Sequence, residues 1–198
     1  MHPAPLFLET DEAVLAARVQ AAPFALICAS AEGRPVAAHA PVLLEGRRLR
    51  FHLSRANPVA GALTDGATVL AVVTGPHAYI SPDWYGQEDQ VGTWNYLSVE
   101  LEGRVRILDA QAATALLDDL SDRFEHDLLP KPMWKRDKMS EGRFDTLLKM
   151  IVAYEVTLDR FEGITKLGQN KPPEARAAVA DALSAIGETG ISGLMRGL

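Results

Sequence analysis

At 198 residues, 47% of them hydrophobic, the chain has enough material for one well-buried core and is too apolar to be disordered. A formal charge of -6 and a pI near 5.4 exclude a broad basic surface for nucleic acid, and no helix-turn-helix or zinc-finger spacing supplies a local one. The single cysteine, Cys28, excludes an intrachain disulfide and a thiolate metal cluster, and its apolar surroundings from Phe24 to Ala29 read it as a buried, inert thiol. The start Met1-His2-Pro3-Ala4-Pro5 has neither the charges nor the apolar stretch of a signal peptide. No run approaches the roughly 18 apolar residues of a membrane span. A cytoplasmic protein without membrane contact is expected.

In chain order, Thr10 is a candidate N-cap for a helix carrying Val14, Leu15, Arg18 and Val19, which Pro23 stops. Strands are predicted over 24–29, 36–44 and 47–53, joined by the turn residues Glu32-Gly33-Arg34 and Glu45-Gly46. Leu49, Phe51 and Leu53 alternate with Arg50 and His52, so one face of that strand is in the core. A short helix over 58–63 precedes the most apolar strand, 67–74. The segment Gly75–Tyr85 reads as a loop in which Tyr79, Trp84 and Tyr85 offer ring faces and His77 and Ser81 offer hydrogen bonds. An ordinary packed loop is the alternative.

Strands over 93–101 and 103–108 follow, split by a bend at Glu102-Gly103, and then a helix over 109–129, a shorter one over 141–150, a closing strand over 151–158 and a helix from Pro172 to about Ile186. No repeat or linker interrupts 1–186, which is read as a single domain. The glycine-rich tail, 187–198, is read as mobile. Strands and helices do not alternate regularly, so the expected class is α+β, mostly β: a small antiparallel barrel with flanking helices.

The chemistry is scattered. Ser54, Arg55 and Asn57 sit where a strand gives way to a short helix, a place where a guanidinium and free backbone amides would hold a phosphate. Helix capping by Ser54 or Asn57 with a solvated Arg55 is the plainer reading. His39 lies in an apolar strand, as a ligand contact or a satisfied edge residue. Lys166, Gln169 and Asn170 cluster after the closing strand and would suit a ring edge or a phosphate. The basic stretch Lys131–Lys149 is interleaved with acids and reads as a solvated helix face. The five histidines show no HExxH or paired spacing, so no metal site is expected. No nucleophile elbow or Walker loop occurs, and no catalytic acid or base stands out.

Taken together, His39-Ala40-Pro41, His52-Leu53-Ser54-Arg55-Ala56-Asn57-Pro58, Gly75-Pro76-His77-Ala78-Tyr79-Ile80-Ser81-Pro82, Thr93-Trp94-Asn95-Tyr96 and Lys166-Leu167-Gly168-Gln169-Asn170 resemble the PaiB family of FMN-binding negative transcriptional regulators, from about Pro3 to Ala182. The resemblance implies a split β-barrel of the pyridoxamine-phosphate-oxidase type, a homodimer with FMN at the subunit interface, and a regulator whose direct binding to DNA stays open. On that pattern Ser54, Arg55 and Asn57 hold the phosphate, and Thr93, Trp94 and Asn95 line the flavin with Lys166, Gln169 and Asn170. His39 joins them as a cofactor contact. Gly168 stands where serine is common and Lys171 where arginine is common. The alternatives on the same barrel are an FMN-dependent NAD(P)H oxidoreductase, a haem protein with His39 or His77 as axial ligand, and an interaction module without a chromophore.

Overall fold

The computed structural model describes residues 3–198; Met1 and His2, part of the N-terminal reading above, lie outside them. A 3-10 turn over Pro5–Phe7 leads into β1 (Leu8–Glu9) and α1 (Glu12–Ala21). Asp11, not Thr10, caps α1: its Oδ1 accepts from the amides of Ala13 and Val14 at 2.9 and 3.2 Å. β2 (Phe24–Ala31), β3 (Arg34–Glu45) and β4 (Arg48–Ser54) form the expected meander. The β2–β3 connection is two residues, Glu32 and Gly33, both at positive φ (51° and 76°), the geometry whose twist matches the flanking strands. α2 (Pro58–Ala62) is a single short helix.

β5 (Thr68–Ile80) runs well past the expected end at Thr74 and takes in half of the segment read as a loop. Val69, Ala71 and Val73 are buried on one parity, Ala78 and Ile80 on the other. The alternation changes phase across Thr74–His77, as it does when a strand carries an extra residue, and a pattern search by strict period two stops there. A 3-10 turn over Pro82–Tyr85 follows. β6 (Thr93–Ile107) is one strand without the expected bend. Gly103 is there because β7 comes close: a Cβ on it would stand 2.0 Å from the Thr157 carbonyl oxygen.

α3 (Ala110–His126) and α4 (Arg143–Leu148) precede β7 (Ile151–Lys166), which is twice the expected length; α5 (Pro173–Ala185) follows. The tail read as mobile forms α6 (Thr189–Arg196), because Ile191 and Met195, one turn apart, both find a core to enter. The antiparallel sheet has the order β1-β7-β4-β3-β2-β5-β6, and β7 also pairs with β6. That second pairing closes the sheet on itself, which with the flanking helices is the split β-barrel class expected.

The chain divides into two compact units, and β5, β6 and β7 contribute to both. The first comprises Met1–Arg18, Thr74–Val99 and Glu162–Leu198; the second comprises Val19–Val73 and Glu100–Phe161. In the first, α5 buries Ala175, Val179, Ala180 and Leu183 against Ile80, Tyr85, Leu97, Ile191 and Met195. In the second, Phe51 and Tyr154 are fully buried with ring centroids 5.2 Å apart, and Tyr154 donates its hydroxyl to the Ala60 carbonyl at 3.1 Å. A second layer there sets Ala113, Leu116 and Leu120 of α3 against Leu43 and Ala153, with the Asp109 carboxylate capping the helix at the Ala112 amide (2.8 Å).

Candidate functional site

Arg55, in the turn after β4, is held by backbone carbonyls around the start of β7. Its amide donates to Met150 O at 2.8 Å, its Nε to Lys149 O at 3.2 Å and its Nη2 to Ile151 O at 2.9 Å. Three carbonyls around the start of β7 thus fix both the backbone and the plane of the guanidinium. A guanidinium has five N–H donors, so two carbonyl bonds leave others for an anion. Ser54 and Asn57 are spent on the turn: Ser54 Oγ accepts from Ala56 N at 3.4 Å, and Asn57 Oδ1 accepts from Val59 N at 2.9 Å as the α2 cap. α2 has only five residues and its Val59 amide is already capped by Asn57, so at this turn the charge for a phosphate comes from Arg55 and not from the helix end.

Arg55 opens onto a cleft of about 640 Å³, shared with Leu63, Asp109, Asp145, Lys149 and Val152. Two cations and two carboxylates line it, so Arg55 and Lys149 set its anion affinity against Asp109 and Asp145. His52, two residues before Ser54 on the same face of β4, has a buried Nδ1 without a partner, and burial pushes its imidazole pKa down. His39 stands exposed on β3 and stacks on Phe24 of β2 at 5.4 Å and 18°. Phe24 is 64% exposed, and the motif pattern missed it; its signal is an aromatic at the outward parity of an otherwise core-facing strand.

In the first unit the strand alternation separates residues that the resemblance grouped. Thr93 and Asn95 point to one face of β6 and Trp94 to the other. Asn95 is 1% exposed and its Nδ2 donates to the Met195 sulfur of α6 at 3.4 Å, so this carboxamide is covered by the tail helix and not presented to a ligand. Trp94, 52% exposed, lies 6.1 Å from both His77 and Tyr79, itself 50% exposed, and the three rings make an open aromatic patch. Of the other rings expected to face a ligand, Tyr85 is 5% exposed in the core and Trp84 packs against it.

Lys166 Nζ donates to Thr93 Oγ1 at 2.6 Å and lies 6.0 Å from the Phe7 ring centroid. Partial burial lowers its pKa, and no carboxylate pairs with it among the described residues. Gln169 is turned inward on its own loop: Nε2 donates to Thr165 O at 2.5 Å and Oε1 accepts from Leu167 N at 2.8 Å. Asn170 is exposed. Gly168 has φ 82°, a left-handed conformation in which a serine would be strained, which accounts for glycine at that position here. Lys171 reaches Gln90 Oε1 at 2.5 Å and lies over the Tyr85 ring at 4.9 Å.

The predicted residues therefore form two clusters, Ser54, Arg55 and Asn57 in one unit and Thr93 with Lys166 in the other. Asn95 and Gln169 are structural in this arrangement. In the second unit Arg55 is a positioned guanidinium suited to an anion; in the first, Lys166 is an ammonium beside a hydroxyl, and Trp94, His77 and Tyr79 are exposed ring faces. Among the described residues no three His, Cys, Asp or Glu are placed to hold a metal ion, and no helix is long and apolar enough to cross a membrane.

The protease synthase and sporulation protein PAI 2 of Bacillus subtilis is 29% identical over 157 residues, covering 77% of this chain and 74% of the relative. An uncharacterized protein of Emericella nidulans is 26% identical over 168 residues, 70% of this chain and 67% of its own. Among solved structures, the flavocytochrome Anf3 of Azotobacter vinelandii superposes with a TM-score of 0.66 at 18% identity over 84% of this chain and 72% of that one. The FAD and haem binding protein of Mycobacterium smegmatis does so with 0.61 at 21% identity, over 86% and 78%. These likenesses show a common fold. Residues 1–160 match the sequence model of the family described as "Putative FMN-binding domain", which takes in Arg55, Thr93 and Trp94 but stops short of Lys166. The chain belongs to that FMN-binding-domain family, as the PaiB-like motifs led us to expect.

Proposed function

We propose that the protein binds FMN as a homodimer in the cytoplasm and acts as a PaiB-type regulator through a flavin-dependent activity. The observation that carries this reading is the fixing of Arg55 by the Lys149 and Ile151 carbonyls, which presets a guanidinium for the terminal phosphate. Lys166 and Thr93 offer a cation and a hydroxyl for the polar edge of the ring system. FMN, when bound, supplies electron and hydride chemistry; the chain's part is to hold and orient it. The outer face of β2 and β3, where Phe24 and His39 stack in the open, supports a second copy as the dimer partner.

The visible absorption spectrum of the purified protein, before and after incubation with FMN and removal of free ligand, tests the reading. A retained flavin spectrum near one per chain is expected, with sedimentation as a dimer. A protein left colourless after reconstitution would overturn it. If flavin is retained, steady NADH or NADPH oxidation would identify the oxidoreductase alternative, and a gel shift at moderate salt would decide direct DNA binding.

A second reading, haem binding, has one observation in its favour. His77 Nδ1 lies 3.0 Å from Gly75 O. A carbonyl only accepts, so the proton is on Nδ1 and the Nε2 lone pair is left for iron. The reading requires a Soret band on haem titration that is lost in His77→Ala or, failing that, in His39→Ala.

A further inference from the structure

Outside the flavin-related clusters the second unit holds a separate apolar cavity. It lies between α3 and the segment that returns through α4, has a volume of about 370 Å³, and is walled by Leu117, Trp134, Met139, Phe144, Leu147 and Leu148. That volume is at the small end of the roughly 300–1,000 Å³ of ligand sites, and its composition, two aromatic rings among aliphatics with few polar groups, is that of a small-molecule pocket. The polar groups present are Ser121, Asp118 and Arg136. Arg136 lies over the Phe144 ring at 4.5 Å and is ion-paired to Asp118 at 3.1 Å. One pairing leaves a guanidinium with further N–H donors, held in place by the stack. Nearby, Lys131 and Lys135 are tied to Glu125 and Asp122 of the α3 surface, so Arg136 is the cation that borders the cavity.

We propose that this cavity binds a small aromatic carboxylate, its rings between Trp134 and Phe144 and its anionic group on Arg136. The site is independent of the flavin reading. Its occupancy would still be felt at Arg55. Leu148 and Ile151 line both this cavity and the Arg55 cleft, and the Ile151 carbonyl is one of those that fix the guanidinium.

The test is calorimetric titration of the full chain with 2-naphthoate and with its uncharged analogue 2-naphthalenemethanol, without added flavin. One saturable site for 2-naphthoate is expected. Ser121→Phe, which fills the cavity, should weaken it at least about tenfold. Arg136→Gln should weaken 2-naphthoate about tenfold and leave the alcohol unchanged, since only the acid loses a charge-assisted hydrogen bond. Absence of saturable binding, or unchanged binding in Ser121→Phe, overturns the site. Equal losses for acid and alcohol in Arg136→Gln overturn the carboxylate assignment. If circular dichroism shows that Ser121→Phe does not fold, Leu117→Trp fills the same cavity from the adjacent turn and is judged by the same outcomes.

Discussion

Lys166 at the end of β7 and Thr93 at the start of β6 are joined by a 2.6 Å hydrogen bond from Nζ to Oγ1. The residues are far apart in sequence, and the bond holds a partly buried ammonium that no carboxylate ion-pairs with among the described residues. On the proposed flavin contact, Lys166→Met should weaken FMN binding about tenfold, or about 1.4 kcal/mol. Thr93→Val, which keeps the charge, should cost less. Quenching of flavin fluorescence on titration measures both, and an unchanged affinity in Lys166→Met would remove Lys166 from the site.

His52 predicts a pH dependence. Burial holds its folded-state pKa below the ordinary value of 6.5, so the unfolded chain takes up the proton first as pH falls. Stability should be fully present above about pH 6.5 and be lost progressively as pH drops from there through the lower folded-state value. Urea midpoints at about pH 8 and about pH 5 measure it, and His52→Gln should flatten the difference. A variant with the same slope as the parent would place the titrating group elsewhere.

In the second unit's core the Phe51 and Tyr154 rings are both fully buried, with centroids 5.2 Å apart. Phe51→Ala leaves a cavity the barrel cannot close, with an expected loss of about 3–5 kcal/mol in denaturant unfolding. Phe51→Leu should cost clearly less. Equal losses in the two would point to a site that relaxes.

Gly103→Ala should destabilise by about 1–3 kcal/mol, because the new methyl meets backbone on β7 and not a side chain that can swing away. Gly61→Ala, in open space on α2, is the control and should be neutral or mildly stabilising. Thermal melts of the two variants compare them directly.

The sequence made the strands β2 to β4 legible because Leu49, Phe51 and Leu53 alternate cleanly and Gly33 and Gly46 mark turns at positive φ. It misread β5 beyond Thr74, where the alternation changes phase, and it took Gly103 for a bend when the glycine answers a neighbouring strand. For the candidate site the motifs supplied residue types, Arg55 and Lys166 among them. What the motifs could not show is side-chain direction. Thr93, Trp94 and Asn95 are adjacent in sequence and so point to alternate faces, and Asn95 meets Met195, a partner in a tail that the motifs did not reach. Gln169 and Asn57 look like ligand contacts by type but serve their own loop and cap.

In the proposed flavin site Arg55 holds the FMN phosphate. Riboflavin lacks that phosphate, so the ratio of riboflavin to FMN dissociation constants, measured by fluorescence titration for the parent and for Arg55→Ala, isolates the contact from any general damage to the fold. The parent should prefer FMN, and Arg55→Ala should erase that preference, a change of about ten- to a hundredfold if the guanidinium makes charge-assisted hydrogen bonds worth about 1.5–3 kcal/mol. A preference for FMN that survives in Arg55→Ala would show that Arg55 does not hold the phosphate.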